Sequence, residues 1–136
     1  MPQQSFKRSE RLKSRKIIGQ LFSDGQSFGK YPIRLVWLEV ESSLSESTIQ
    51  VTFSVPKRKF KKAVERNRLK RQMREAYRLN KHQLYEAFQE TEKQYAWMLI
   101  YVGKEKFPYK SIEKSIQILM HRFIKKIKNQ HSQPKP

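Results

Sequence analysis

The chain has 136 residues, and its 30 Lys and Arg outnumber its 12 Asp and Glu to give a formal net charge of +18. This length suits one domain with a core of its own, and the absence of cysteine excludes disulfides, thiolate catalysis and cysteine-ligated zinc. So much positive charge on a small domain predicts nucleic acid as the partner, in preference to an anionic membrane surface or a surface charged only for solubility.

The first part of the chain predicts an arm followed by a short helix. Residues 1–13 are polar and basic and are expected to form a flexible basic arm, ahead of a single RNA-binding domain over residues 14–128. Ser14 can cap a helix in which four apolar residues recur at helical spacing, namely Ile17, Ile18, Leu21 and Phe22. Gly25 suits the left-handed residue that commonly ends a helix.

Two strand-like segments come next. Residues 30–41 are rich in β-branched and aromatic side chains, and residues 48–56 alternate apolar with small polar side chains. With the polar residues 42–47 between them, the two segments predict an antiparallel hairpin with a loose loop. The polar face of the second segment predicts a sheet that helices cover on one side only.

Residues 57–78 are the most basic stretch, with eleven Lys and Arg against two Glu. At about 100° per residue, a helix over this stretch separates two faces. The charged face carries Asn67, Arg71, Arg74 and Arg78, and the packing face carries Leu69, Met73, Ala76 and Tyr77. Arg66 lies toward the packing side and is expected either to bridge into the sheet or to lie at the edge of the binding surface.

The last third of the chain predicts a break, a strand and a helix. The helical pattern is expected to break or bend between Asn80 and Gln83. Residues 95–102 are apolar almost without alternation, which predicts a central strand, buried on both faces and parallel to the strand before the crossover. Ser111 can cap a final helix with the apolar stripe Ile112, Ile116, Leu119, Phe123 and Ile127. Residues 129–136 are expected to form a disordered tail.

These elements predict an α/β (α+β) sandwich with a small mixed sheet, in the order α-β-β-(β)-α-β-α. The sequence lacks the groups that a protein nuclease uses, which are paired carboxylates for metal ions or a histidine placed for acid–base work. It has one aspartate, Asp24, and three isolated histidines. Glu90 and Glu92 are expected to be solvated in a loop, and four glycines supply no phosphate-cradling loop. No catalytic or metal-ligating residue is assigned, and the chain is expected to bind rather than to cleave.

A motif in the basic stretch resembles a known family. Glu65-Arg66-Asn67-Arg68-Leu69-Lys70-Arg71, preceded by a strand ending Ser54-Val55-Pro56-Lys57 and by Ala63-Val64, is similar to the signature of the bacterial ribonuclease P protein subunit. The resemblance extends over nearly the whole chain between the two tails, from Arg11-Leu12-Lys13 to the terminal helix.

The resemblance implies the protein part of an RNA-based endonuclease that removes the 5′ leader from precursor tRNA, with the RNA subunit and its magnesium ions performing the hydrolysis. The protein alone is expected to bind no cofactor. The residues implied to contact the catalytic RNA are Arg66, Asn67, Arg68, Lys70, Arg71 and Arg74. Those implied to line a leader-binding cleft are Ile18, Phe22, Val36 and Lys57. A left-handed β-α-β crossover, as in ribosomal protein S5 domain 2-like folds, is implied as well.

Two features depart from the family pattern. Ile18 and Val36 stand where aromatic residues commonly line the cleft, so base stacking is expected mainly from Phe22. The basic segment 59–62 replaces a glycine-containing turn before the basic helix. Phe60, within that segment, is expected to form a hydrophobic staple with Val64.

The leading alternative function is a general RNA-binding or ribosome-associated protein without a role in cleavage. A membrane-surface protein fits less well, because the apolar face of each helix is needed for the core. The N-terminal residues contain no apolar run for a signal peptide, and residues 95–102 are far shorter than the roughly 20 residues of a membrane span. The resemblance implies the catalytic RNA and precursor tRNA as partners, and no membrane or DNA partner is expected. The expected compartment is the cytoplasm.

Overall fold

The computed structural model describes residues 5–41 and 47–132. A short 3₁₀ helix, Arg8–Glu10, comes first. The helices and strands then follow in the order α1 (Arg15–Asp24), β1 (Gln26–Lys30), β2 (Ile33–Val40), β3 (Ile49–Ser54), α2 (Ala63–Asn80), α3 (His82–Ala87), β4 (Gln94–Tyr101) and α4 (Tyr109–Ser132). The expected sandwich of helices around a small mixed sheet is confirmed.

The four strands pair in the order β1-β2-β4-β3. Strand β4 is antiparallel to β2 and parallel to β3, so the predicted parallel crossover into a central strand is confirmed. The predicted hairpin between residues 30–41 and 48–56 is wrong, because β4 lies between β2 and β3. Strand β2 forms its hairpin with β1 instead. The left-handed sense of the crossover stays a prediction, and residues 42–46 of the expected loop lie outside the described residues.

The main core lies between the sheet and the helices α2 and α4. Strand β4 is buried on both faces, as its unbroken apolar run predicts. The predicted packing face of α2 and the whole predicted stripe of α4 are buried. Phe123 is central to this core, with ring centroids 4.9 Å from Trp97 and 5.2 Å from Trp37. The two helical periodicities therefore predict which residues pack.

A smaller core lies on the other face of the sheet, under α1. Ile17 and Leu21 pack there against Ala96 and Met98 of β4. The expectation that helices cover only one side of the sheet therefore needs correction. Helix α1 covers much of β2 and β4 on this face, while the polar side chains of β3 remain partly open, namely Gln50, Thr52 and Ser54.

The N-terminal segment packs on the domain from Phe6 onward. The Phe6 ring lies 5.9 Å from the rings of both Phe53 and Tyr77, and Leu12 is buried with its N–H donating to the carbonyl oxygen of Val51. The packed domain thus begins earlier than the predicted boundary at residue 14. The reason is that this segment covers the outer edge of β3 and fills space beside Tyr77. Residues 1–4 of the predicted arm lie outside the described residues.

The C-terminal helix differs from its prediction at both ends. Helix α4 begins at Tyr109, and the N–H of Ser111 donates to the carbonyl oxygen of Pro108, so Ser111 lies in the first turn and is not the cap. The helix continues to Ser132, so the tail predicted from residue 129 starts too early. Residues 133–136 lie outside the described part of the chain.

The two ends of α1 give one confirmed and one wrong prediction. The Ser14 side chain accepts a hydrogen bond from the N–H of Ile17, as a helix cap does. Gly25 is extended, at φ −68° and ψ 144°, rather than left-handed. Close approach explains the glycine instead, because a Cβ atom at this position would contact the carbonyl oxygen of Leu21 and come within 2.6 Å of a methyl group of Val36.

Gly25→Ala is expected to lower the free energy of unfolding by about 1–3 kcal/mol, because neither the Leu21 carbonyl nor the packed Val36 can move freely. Gly19→Ala is the matched control. A Cβ at Gly19 meets nothing within 4 Å, so this change should raise stability by about 0.5–1 kcal/mol through helix propensity. Urea unfolding of both variants measures the difference, and an equal effect of the two substitutions would contradict the close-approach argument.

Candidate nucleic-acid interface

Helix α2 has one packed and one charged face. Leu69, Met73, Ala76 and Tyr77 are buried against the sheet and α4. The four residues that are exposed among those predicted to contact RNA are Asn67, Arg68, Arg71 and Arg74. Three guanidinium groups and one amide therefore share the solvent side of a single helix, where they can donate hydrogen bonds to phosphate oxygens.

The segment before α2 is held by Arg66. Its guanidinium donates to the carbonyl oxygens of Phe60 and Lys61, both at 2.8 Å. Phe60 is buried, with its ring 5.6 Å from that of Tyr101. Val64 is 75% exposed, so the predicted staple between Phe60 and Val64 is wrong, since Phe60 packs into the main core. Arg66 therefore fixes the turn that orients α2 and lies at the edge of the charged face.

Lys70, Arg74 and Arg78 lie at the borders of the charged face of α2. Lys70 is half-buried beside the packed face. The Arg74 guanidinium lies 5.8 Å from the ring centroid of Phe53 at the edge of the sheet. Arg78 was predicted on the charged face, but it is half-buried and pairs with Glu75 at 2.5 Å. The hydrogen bond from Arg78 lowers the pKa of Glu75, so this pair neutralises itself at one end of the charged face.

A second candidate surface lies between α1 and the open part of the sheet. Ile18 and Val36 are half-buried against the small core, and Phe22 is 72% exposed one turn after Ile18 on the same flank of α1. Lys57 is exposed three residues after the end of β3. The structure thus places Ile18 and Val36 against the same small core, with Phe22 on the same flank of α1 as Ile18 and Lys57 beyond the end of the edge strand β3.

Strand register adds residues to this cleft that the sequence analysis did not single out. Val36 pairs with Met98, which pairs with Thr52, and Arg34 pairs with Ile100, which pairs with Ser54. Paired residues share a face of a sheet, so Arg34 and the small hydroxyls of β3 lie on the same face as Val36. The sequence could have indicated Arg34, because residues two apart on a strand share a face and Arg34 is two residues from Val36. The exposed Arg34 can contact phosphate while Phe22 offers a ring for stacking.

The opposite flank of α1 has a different character. A groove of about 420 Å³ lies there, and its lining includes Lys16, Asp24, Glu39 and Glu41. Lys93 pairs with Glu39 at 3.5 Å nearby. Carboxylates repel phosphate, so the two flanks of α1 are electrostatically distinct, and RNA is expected on the Ile18 and Phe22 flank.

The described residues contain no group of three or more His, Asp or Glu side chains arranged to hold a metal ion. In the same part of the chain, no helix is both long enough and apolar enough to cross a membrane. The exposed arginines and asparagine of α2 offer hydrogen bonding to phosphate and charge neutralisation, and the exposed Phe22 ring offers stacking.

Comparison with known proteins assigns the family. Residues 6–124 match the family model described as Ribonuclease P. The chain belongs to the ribonuclease P protein family. A ribonuclease P protein component from Porphyromonas gingivalis strain W83 is 40% identical over 118 residues, covering 85% of this chain and 84% of that protein. One from Chlorobium phaeobacteroides is 33% identical over 126 residues and covers 86% of each.

Solved ribonuclease P proteins share the fold. The Thermotoga maritima protein aligns with a TM-score of 0.64 at 22% identity, covering 83% of this chain and 96% of that one. A Staphylococcus aureus protein aligns with a TM-score of 0.61 at 16% identity, over 84% of this chain and 94% of that one. The resemblance of residues 65–71 is thereby confirmed, and the role in tRNA 5′ maturation that it implied follows from membership of the ribonuclease P family.

Proposed function

We propose that this chain is the protein subunit of a ribonucleoprotein endonuclease in which an RNA subunit performs the hydrolysis. In this proposal, the charged face of α2 docks on the catalytic RNA. The cleft between α1 and the open face of the sheet receives the 5′ leader of precursor tRNA. The observation that carries the proposal is the exposed set Asn67, Arg68, Arg71 and Arg74 on a helix whose other face is fully committed to the core.

The charge on α2 supports docking on a polyanion. Arg68, Arg71 and Arg74 are spaced three residues apart, which places them as neighbours on the helix surface. Like charges at this spacing disfavour the helix, and none of the ion pairs observed within the described residues includes any of the three. An RNA backbone would offset the repulsion, and Asn67 among them can also accept a hydrogen bond from an RNA hydroxyl.

The cleft supports binding of a single strand. A leader without a base-paired partner can turn its bases toward Phe22 and its phosphates toward Arg34 and Lys57. The half-open hydroxyls of Thr52 and Ser54 add neutral hydrogen-bonding groups between these two kinds of contact. An aromatic ring beside cations and hydroxyls suits RNA without a fixed sequence.

Hydrolysis is assigned to the RNA subunit with its magnesium ions, since the chain has a single aspartate and isolated histidines. The proposed partners are the catalytic RNA and precursor tRNA. Membrane and DNA are not among them, and the proposed compartment is the cytoplasm, where tRNA precursors are processed in bacteria.

The test is a cleavage assay at low magnesium. Purified protein is added to the catalytic RNA and precursor tRNA, and release of the leader is followed over time. The proposal predicts faster release than with the RNA alone, because the protein's cations replace part of the charge screening that magnesium supplies. Binding of the RNA without any stimulation would contradict the proposal and favour a general RNA-binding protein.

Phe22→Ala is expected to reduce the preference for leader-bearing over mature tRNA by roughly 5- to 100-fold, because one base–aromatic stack contributes about 1–3 kcal/mol. The measurement is the ratio of the affinities of the holoenzyme for precursor and mature tRNA. Affinity for the catalytic RNA alone should not change, since Phe22 lies on α1, outside the charged face of α2, and its side chain is 72% exposed.

Val64→Ala is the control for Phe22→Ala, because Val64 is the comparably exposed apolar residue outside the cleft, at 75%. It should leave the preference for precursor tRNA unchanged. Equal losses of precursor and mature tRNA binding with Phe22→Ala would contradict a role for this ring in holding the leader.

A further inference from the structure

Helix α4 carries a second basic surface that the proposed function leaves unused. The sequence contains no Asp or Glu from Lys114 to its last residue. The cations that lie outside the apolar stripe of α4 in this region are exposed, namely Lys114, Arg122, Lys125, Lys126 and Lys128. The ion pairs seen within the described residues include none of them. This side of α4 is therefore positively charged, and none of its cations pairs with an Asp or Glu among the described residues.

Three of these cations line a groove between α4 and the edge strand β1. The groove has a volume of about 620 Å³, and it is lined by Ser27, Phe28, Arg122, Lys125, Lys126 and Asn129, together with Gln130. We call it the α4–β1 groove. Its lining combines lysine and arginine side chains with hydroxyl and amide groups, and it includes no carboxylate. All of these polar groups can donate a hydrogen bond to an anionic oxygen.

Arg122 is held in place within the α4–β1 groove. Its guanidinium carbon lies 4.8 Å from the ring centroid of Phe28, and a terminal nitrogen donates to the carbonyl oxygen of Gly29 at 2.8 Å. Phe28 faces α4 because it pairs with Leu35, which is buried in the main core. The groove thus has one cation held by contacts with β1, with the exposed Lys125 and Lys126 beside it.

The helix dipole does not account for these cations. A helix C-terminus favours positive charge only within its last turn, and α4 ends at Ser132. Arg122, Lys125 and Lys126 lie before that turn. Arg122 also stands three and four residues from the two lysines, a spacing at which like charges destabilise a helix. In the free protein the cluster therefore costs stability, which a bound polyanion would offset.

We infer that the α4–β1 groove binds the phosphate backbone of a second RNA segment, separate from the segment that docks on α2. This inference rests on the proposed function, since the RNA in question is the catalytic RNA. Helix α2 contacts β3 and α4 contacts β1, which are the two outer strands of the sheet. Outer strands of a four-stranded sheet are roughly 14 Å apart, so the two basic surfaces can hold two RNA segments against one domain.

Backbone contact is favoured over base stacking in the α4–β1 groove. The Arg122 guanidinium already covers the Phe28 ring, so this ring is not open to a base as Phe22 is. The free donors are charged side chains on a regular helix, which suit phosphates. The groove is therefore expected to contribute affinity and salt dependence without sequence preference.

The test compares two double variants that remove the same charge. Lys125→Gln/Lys126→Gln alters the α4–β1 groove, and glutamine keeps the helix propensity of lysine. Lys16→Gln/Lys93→Gln is the control, because Lys16 lies on α1 and Lys93 pairs with Glu39, and neither lysine lines the α4–β1 groove. Binding of the full chain to the transcribed catalytic RNA is measured over a series of salt concentrations, together with hydroxyl-radical footprints on that RNA.

The groove variant should lose about 1.5 units of salt slope and about tenfold in affinity at 0.15 M salt, because each lysine contacts one phosphate. It should lose one protected RNA segment and keep the other. The control should keep both segments and stay within about twofold of wild type, since neither lysine lines the groove or belongs to α2. Equal effects of the two variants would overturn the inference.

Binding to phosphatidylserine vesicles supplies a second measurement. Loss of vesicle binding in the groove variant, with RNA affinity unchanged, would overturn the inference in favour of a membrane contact. Leader release by the wild-type holoenzyme is followed on the same preparations. Affinity and footprints are measured without cleavage, so absence of stimulated release would count against the proposed function alone. The footprint comparison would still test whether the α4–β1 groove binds RNA.

Discussion

Replacing both Arg68 and Arg71 with Gln is expected to reduce affinity for the catalytic RNA by at least about tenfold at 0.15 M salt. Each arginine that contacts a phosphate contributes about 0.7–0.9 to the slope of log affinity against log salt, so the double change should flatten the slope by about 1.5. Both side chains are exposed and unpaired with acidic groups within the described residues. Filter binding over a salt series measures both quantities.

The fold should not suffer from this change. Arg68 and Arg71 are three residues apart, and Arg71 is also three residues from Arg74, so the variant should gain a few tenths of a kcal/mol in free energy of unfolding. Opposite signs for stability and binding would separate a binding role from a structural one. A variant that loses RNA affinity only because it unfolds would show both quantities falling together.

Arg68→Lys/Arg71→Lys is the matched control for Arg68→Gln/Arg71→Gln. It keeps both charges, so the salt slope should stay close to that of wild type. It loses the planar fork that binds two phosphate oxygens at once, so affinity should still fall severalfold. If the Gln variant keeps the wild-type slope and affinity, the charged face of α2 is not the RNA-binding surface.

The features that sequence could predict are those set by local periodicity. The two faces of α2 follow from apolar residues three and four apart, and the buried stripe of α4 follows in the same way. Strand β4 is recognisable because its run of apolar residues has no polar alternation. The cleft residue Phe22 is placed correctly on the same flank as Ile18, since helical spacing alone puts them together.

The features that sequence could not predict depend on partners distant along the chain. Strand β1 is short and mostly polar, so nothing local distinguishes it from a loop. The sequence therefore predicts β3, and not β1, as the hairpin partner of β2. Arg66 donates to backbone carbonyl oxygens, which every residue has, so the sequence does not indicate where these hydrogen bonds form. Glu10 looks like a solvated carboxylate, yet it is buried against Lys81, more than 70 residues away.

Lys81→Met is expected to lower the free energy of unfolding by about 3–5 kcal/mol, because it leaves the Glu10 carboxylate buried without its counterion. The Lys81 ammonium donates to both oxygens of Glu10 at 2.8 Å and also to the carbonyl oxygen of Ser5. The two side chains are only 4% and 6% exposed. Lys81 stands where α2 ends and α3 begins, within the predicted break, so the ion pair ties the N-terminal segment to this corner.

The double variant Glu10→Leu/Lys81→Met separates two effects on the free energy of unfolding. One is the destabilisation caused by an unpaired buried carboxylate, and the other is the net stabilisation that the ion pair contributes. Apolar replacement of a buried ion pair is often neutral or stabilising, so the double variant should recover most of the stability that Lys81→Met loses. Urea unfolding gives the free energies, and limited trypsin digestion at Arg8 and Arg11 reports whether residues 5–12 remain docked. A Lys81→Met variant within about 1 kcal/mol of wild type, with those two sites still protected, would contradict the argument. Such a result would mean that Glu10 reaches water or another donor without leaving its position, and that Phe6 and Leu12 alone hold the segment on the domain.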